Sequence, residues 1–194
     1  MTTEKYRTLI PLFQELRGER VLVRPHQESD AQSLFEAIAE SREHIGPWEP
    51  FADAQQTVEE SRDLIIRWMA QWMLREYLAV GLWDGATHWY VGGSNLRPHS
   101  WEAGYFEIGY WVRASAAGQG YITEAVKLLV EYAFTHLHAN RVEIRCDERN
   151  ERSAAVARRL GFVQEGRLRN AFTHRGELRT TLVFSLTPED RSTS

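Results

Sequence analysis

Apolar residues along this chain fall into two rhythms, and the alternation between them predicts the order of elements. Period-two runs at residues 20–24, 77–83, 89–96, 141–147, 162–168 and 179–186, with a further run starting at Glu107, read as strands. Three- and four-residue spacing reads as helix instead. It appears at Leu34, Phe35 and Ile38; at Leu64, Ile65, Trp68, Met69 and Trp72 within residues 58–74; and at Ile122, Ala125, Val126, Leu129, Val130, Ala133, Phe134 and Leu137. A short fourth helix carries Ala154, Ala155, Val156 and Leu160. Punctuation agrees: Pro25 stops the first strand, Ser29 or Asp30 caps the first helix, and Gly161 closes the last. Turns fall at Asp84-Gly85-Ala86-Thr87 and Arg175-Gly176. The expectation is seven strands and four helices in one α/β (α+β) domain, with a core at about residues 18–187 and a polar tail at 188–194.

One segment carries chemistry. The run from Glu107 passes E-I-G-Y-W-V, turns through Ala117, Gly118, Gln119 and Gly120, and enters the helix that begins near Tyr121 and Ile122. Glycines without Cβ let a ligand approach the backbone closely. The first helical turn points unpaired N–H groups outward at the positive end of the helix dipole. A phosphate or pyrophosphate is the natural occupant; a plain tight strand-to-helix connection is the alternative.

The chain beyond this helix narrows the choice. It holds a strand at residues 141–147, then N-E-R-S-A-A-V-A-R-R-L-G-F beginning at Asn150, then Glu165-Gly166. Taken in this order with G-Q-G-Y-I-T-E-A, the sequence resembles the Gcn5-related N-acetyltransferase superfamily (GNAT) across residues 18–187, most closely its ribosomal-protein (RimJ/RimL-like) branch. The resemblance implies a mixed, mostly antiparallel seven-stranded sheet with a splayed strand pair that holds acetyl-coenzyme A. Its pyrophosphate would lie on Ala117, Gly118, Gln119, Gly120, Tyr121 and Ile122, and its pantetheine on Tyr110, Trp111 and Val112. Asn150 and Ser153 match the Asn and Ser near the thioester. Two departures stand out: Ser115 replaces the usual Gln or Arg before the turn, and Ala171-Phe172 stands where some relatives carry a carboxylate.

Composition sets bounds. With 194 residues, 43% of them apolar, the chain can bury one substantial core. A net charge of −4 argues against a general nucleic-acid binder. Residues 141–180 nevertheless hold ten arginines against six acidic residues, and Arg152, Arg158 and Arg159 are candidates for the cofactor's phosphates. A single cysteine, Cys146, excludes an internal disulfide framework and a multi-cysteine metal site. No histidine pairs with acidic residues at metal-ligand spacing, so no metal is expected. No membrane span or signal segment is evident, which points to a cytoplasmic protein. Family members commonly form homodimers.

The function to expect is acetyl transfer to an amine, foremost the N-terminal α-amine of a protein such as a ribosomal protein. An α-amine is roughly 14% neutral at pH 7 and a lysine about 0.04%, so an N-terminal acceptor needs little more than a proton sink. Glu107 is the candidate sink, with an arginine partner as its plainer role. Ser153 is the candidate donor to the leaving thiolate, and the N–H near Val112 the donor to the thioester oxygen. Trp48, in a Pro-flanked corner, and Phe51 are candidates for acceptor contact. A small-molecule amine such as a polyamine or aminoglycoside, or a non-catalytic acyl-CoA-binding module, are the alternatives. A dinucleotide site would need glycine at Thr123, and no P-loop motif is present.

Overall fold

The computed structural model describes residues 3–191. Eight strands form one sheet: β1 (Leu16–Arg17), β2 (Val21–Pro25), β3 (Leu78–Asp84), β4 (Tyr90–Ser100), β5 (Tyr105–Val112), β6 (Arg141–Asp147), β7 (Val163–His174) and β8 (Glu177–Leu186). Their spatial order is β1-β2-β3-β4-β5-β6-β8-β7. Every neighbouring pair is antiparallel except β5 and β6. Helices α1 (Ala31–Ile45), α2 (Phe51–Ala54) and α3 (Val58–Leu74) lie between β2 and β3 in the chain; α4 (Tyr121–Thr135) is the crossover from β5 to β6 that a parallel pair requires. Helix α5 (Glu151–Arg159) comes after β6, and α6 (Pro188–Arg191) after β8.

The mixed sheet is as expected, but the counts differ. β1, α2 and α6 span two to four residues each, too short for any periodicity to show, which is why seven strands and four helices become eight and six among the described residues. Part of the expected polar tail, Pro188–Arg191, is helical; residues 192–194 lie outside the described residues. β7 runs to His174 rather than 168, because its outer half is exposed on both faces and shows no alternation.

Apolar burial is split across the two faces of the sheet. One face carries Phe106, Ile108, Val142, Ile144 and Phe184 against Ala125, Leu129 and Ala133 of α4 and Ala154 and Ala157 of α5. The other carries Leu22, Trp83, Tyr90 and Trp111 against Leu34, Ile38 and Ile65 of α1 and α3. Helix α3 starts where the sequence places it because of a capping box: Thr57 Oγ1 accepts from Glu60 N–H at 3.1 Å, and the Glu60 carboxylate accepts from Thr57 N–H at 2.8 Å. Asp30, expected as a cap for α1, does something else. Its carboxylate accepts both Arg24 guanidinium nitrogens at 2.8 Å and the Gln27 N–H at 2.7 Å, making a buried tie between β2 and the start of α1.

Leu129 is fully buried between α4 and the sheet. Leu129→Ala should destabilise the protein by about 2–5 kcal/mol, read as a lower urea midpoint at unchanged slope. A loss under about 1 kcal/mol would mean that α4 is loosely seated on the sheet.

Candidate active site

The site begins where the sheet stops pairing. β5 and β6 share three register pairs, Tyr105 with Arg141, Phe106 with Val142 and Glu107 with Glu143, after which they part. β5 meanwhile keeps pairing with β4 as far as Val112. Arg113 N–H bonds Val91 O at 2.8 Å, and Gly109 O accepts from Ser94 Oγ at 2.8 Å, so odd positions of β5 face β4. Strand alternation therefore turns the N–H and C=O of Tyr110 and Val112 toward the gap.

On the far side of the gap stands the start of α5. Asn150 caps it, its side-chain oxygen accepting from Ser153 N–H at 3.1 Å. Ser153 Oγ donates to the Tyr110 hydroxyl at 3.2 Å, and that hydroxyl donates to Ser153 O at 2.9 Å. Burial drives the Tyr110 phenol well above its ordinary pKa, so it stays protonated. Cys146 is buried beside this pair, and burial pushes its thiol up to about 11.

At the end of the gap, α4 opens on left-handed glycines, Gly118 at φ +78° and Gly120 at φ +86°. A Cβ on Gly118 would meet nothing within 4 Å, so the turn is open to a ligand. The first N–H groups of α4 have no partner on the preceding turn of helix and face that opening. Two arginines flank it: Arg20 Nη1 donates to Gln119 O at 3.2 Å, and Arg159 Nη1 to Thr123 Oγ1 at 3.0 Å. Cradle, edge and arginines fit a phosphate-bearing chain whose far end reaches Tyr110 and Ser153.

A cavity of about 350 Å³ opens on the opposite face of the sheet, under α3. Gly93 and Gly109 floor it, and His26, Phe51, Trp68, Tyr77 and Trp111 supply aromatic wall. Side chains on the two glycines would fill it: a Cβ on Gly93 would lie 2.6 Å from the Trp111 indole nitrogen, and one on Gly109 2.7 Å from the Asn95 amide. Glu49 also lines it. The tip of the β7–β8 hairpin clamps the loop that carries Glu49, with His174 Nε2 2.9 Å from Gly46 O and Arg175 paired to Asp53 at 3.0 Å.

Residues 20–163 match the model of the acetyltransferase (GNAT) domain. The chain belongs to the GNAT acetyltransferase family. It is 33% identical over 171 residues to Bacillus subtilis YdaF, a protein named only provisionally as a ribosomal N-acetyltransferase, covering 87% of this chain and 92% of that one. It is 29% identical to the ribosomal protein uS5-alanine N-acetyltransferase of Escherichia coli strain K12, covering 95% and 96%. Mycobacterium smegmatis RimJ, solved with a coenzyme A disulfide, superposes with a TM-score of 0.80 at 25% identity, covering 88% of this chain and 83% of that one. As a GNAT enzyme the protein is an N-acetyltransferase, and acetyl-coenzyme A is its donor.

The expected donor-site residues converge: Tyr110, Val112, Asn150 and Ser153 meet at the gap, and Ala117, Gly118, Gln119, Gly120 and Ile122 line the turn. Tyr121 offers only backbone, since its ring is buried and its hydroxyl donates to Asp84 at 2.6 Å. The Trp111 side chain belongs to the other face, its ring 6.0 Å from those of Tyr90 and Phe51. Arg152 is exposed and turned toward His44 of α1, whose pKa is lowered by burial and then by that guanidinium. Arg158 pairs with Glu151 at 3.2 Å. Of the three arginines read from the sequence, the structure brings Arg159 to the turn, and it adds Arg20, which is 139 positions away in the chain and left no local signal.

Ser115 has a role of its own. Its hydroxyl and N–H both bond the Glu40 carboxylate of α1, which also takes the Arg113 guanidinium. Glu107 lies 2.8 Å from His99 Nε2 and 3.8 Å from Arg145 Nε at the apex of the gap, and is not one of the residues lining the cavity. Phe51 lines the cavity; Trp48 does not.

Gly120→Val should weaken acetyl-coenzyme A binding by at least about tenfold by calorimetry, since a β-branched residue resists positive φ. Unchanged affinity in a folded variant would put the phosphates elsewhere.

Proposed function

We propose that this enzyme acetylates the N-terminal α-amine of a protein, with ribosomal proteins the first class of acceptor to test. The observation that carries the reading is the cavity: it is walled by aromatic rings and has one carboxylate, Glu49, among its lining residues. A polyamine or aminoglycoside presents several cationic amines, and a site for one needs several carboxylates to match. A single α-amine followed by an extended chain needs one small pocket and an open mouth. The Bacillus subtilis and Escherichia coli relatives described above carry names that refer to ribosomal N-acetylation, which supports the same choice.

Two groups act on the donor. The Val112 N–H, turned into the gap, is placed to stabilise the thioester oxygen as charge develops on it. The Ser153 hydroxyl, backed by Tyr110, gives its proton to the departing thiolate. Tyr110 holds that hydroxyl in place, accepting from Ser153 Oγ while donating to Ser153 O.

The test is incubation of the purified enzyme and acetyl-coenzyme A with ribosomal proteins, followed by mass mapping. A single acetyl group on the N-terminal peptide of one ribosomal protein is the expected result; label confined to spermidine or another small amine in parallel reactions would overturn it. Ser153→Ala should lower kcat by roughly tenfold or more while acetyl-coenzyme A affinity holds, and unchanged kcat would remove Ser153 from the reaction.

A further inference from the structure

We infer that Glu49 is the residue that takes the proton from the attacking amine. The inference rests on the reading that the cavity under α3 receives the acceptor, and deepens it by naming a catalytic group that the sequence did not single out.

Four observations meet at this side chain. Glu49 is the sole carboxylate among the residues lining the cavity. Among the described residues its carboxylate has no hydrogen bond and no ion pair, whereas four other acids of the chain are engaged. Glu107 is held by His99 and Arg145, Glu143 by Arg141 and Arg145, Glu40 by Arg113, and Asp53 by Arg175. The partners of Glu40 and Glu143 hold those two carboxyls below their ordinary values. Burial, with no cation to offset it, pushes the Glu49 carboxyl up to about 7, the range in which a base can accept from an α-ammonium.

The backbone at Glu49 is held firmly, as a catalytic base requires. The N–H groups of Trp48 and Glu49 both bond Ile45 O at 2.8 Å. Arg42 ties Ala52 O and Gln55 O to α1, and the hairpin contacts through His174 and Arg175 close the loop from outside. The titratable groups that share the cavity do not compete for the proton. His26, whose pKa burial lowers to about 4, is neutral at pH 7; Tyr77, whose phenol burial and then the Glu49 charge push up to about 12, stays protonated, as does Tyr110. From α3 only Leu64, Trp68 and Gln71 face the cavity.

The step balances. The amine nitrogen forms a C–N bond to the acetyl carbon, and the C–S bond breaks with its electron pair going to sulfur. The nitrogen's proton goes to the Glu49 carboxylate, and the thiolate takes the Ser153 proton, which solvent restores.

Glu49→Gln tests this with a short synthetic peptide beginning with alanine as acceptor, and with spermidine in parallel. For whichever amine the wild type acetylates, wild-type kcat should rise with pH through about 7. The variant should lose that limb and fall by roughly 10²-fold, with acetyl-coenzyme A affinity unchanged and partial recovery in Glu49→Asp. A variant with unchanged kcat and pH profile, or one that raises KM alone and keeps the limb, overturns the inference. Failure of the N-terminal reading looks different, because the wild type then acetylates spermidine and not the peptide.

Discussion

Three residue pairs hold β5 to β6, and the loss of pairing beyond them is the constraint on which the rest of the structure depends. Up to Glu107 and Glu143 the sheet is continuous; past that point β5 stays with β4 and β6 stays with β8. An apex of this kind must be fixed, or the strands would zip shut or fray. Glu143, 2% exposed, is gripped there by Arg141 and Arg145, and Glu107 bridges Arg145 to His99. The Glu143 carboxyl is held below its ordinary value because these guanidiniums outweigh its burial. Removing both guanidiniums would leave the Glu143 carboxylate buried and unpaired, at a cost of about 3–5 kcal/mol.

The parting gives β5 a free edge beyond Glu107. Donor groups collect on the side of α4 and α5, where the glycine turn, Arg20 and Arg159 surround the helix N-terminus. Acceptor groups collect on the side of α3, where Gly93 and Gly109 leave room beneath Trp68 and Phe51. In the proposed reaction Glu49 receives a proton from the acceptor side of the sheet and Ser153 supplies one from the donor side. Separate loops hold them: α1 and the β7–β8 hairpin fix Glu49, while the Asn150 cap and Tyr110 fix Ser153.

Features built from neighbouring residues were legible in the sequence. The turn at Gly118 and Gly120, the amphipathic α4 and the Asn150-Ser153 cap each need only a few adjacent positions, so pattern and glycine chemistry reveal them. Features made by distant residues were not. Arg20 reaches the turn from β2, and Ser115, a departure when read locally, is a tie to Glu40 of α1. Glu49 lies between Trp48 and Phe51, both singled out from the same Pro-flanked corner. Its distinction is that no cation reaches it, and that depends on the folded positions of every arginine nearby. The short β1, α2 and α6 were unreadable for a simpler reason: fewer than two turns or two alternations carry no period.

Acetyl-coenzyme A should occupy the gap between β5 and β6. A crystal structure of the enzyme with coenzyme A tests it most directly. Pyrophosphate is expected on the N–H groups of residues 118–122, with the pantetheine paired along Tyr110 and Val112 and the sulfur beside Ser153. Coenzyme A bound elsewhere, with β5 and β6 still parted but empty, would contradict it.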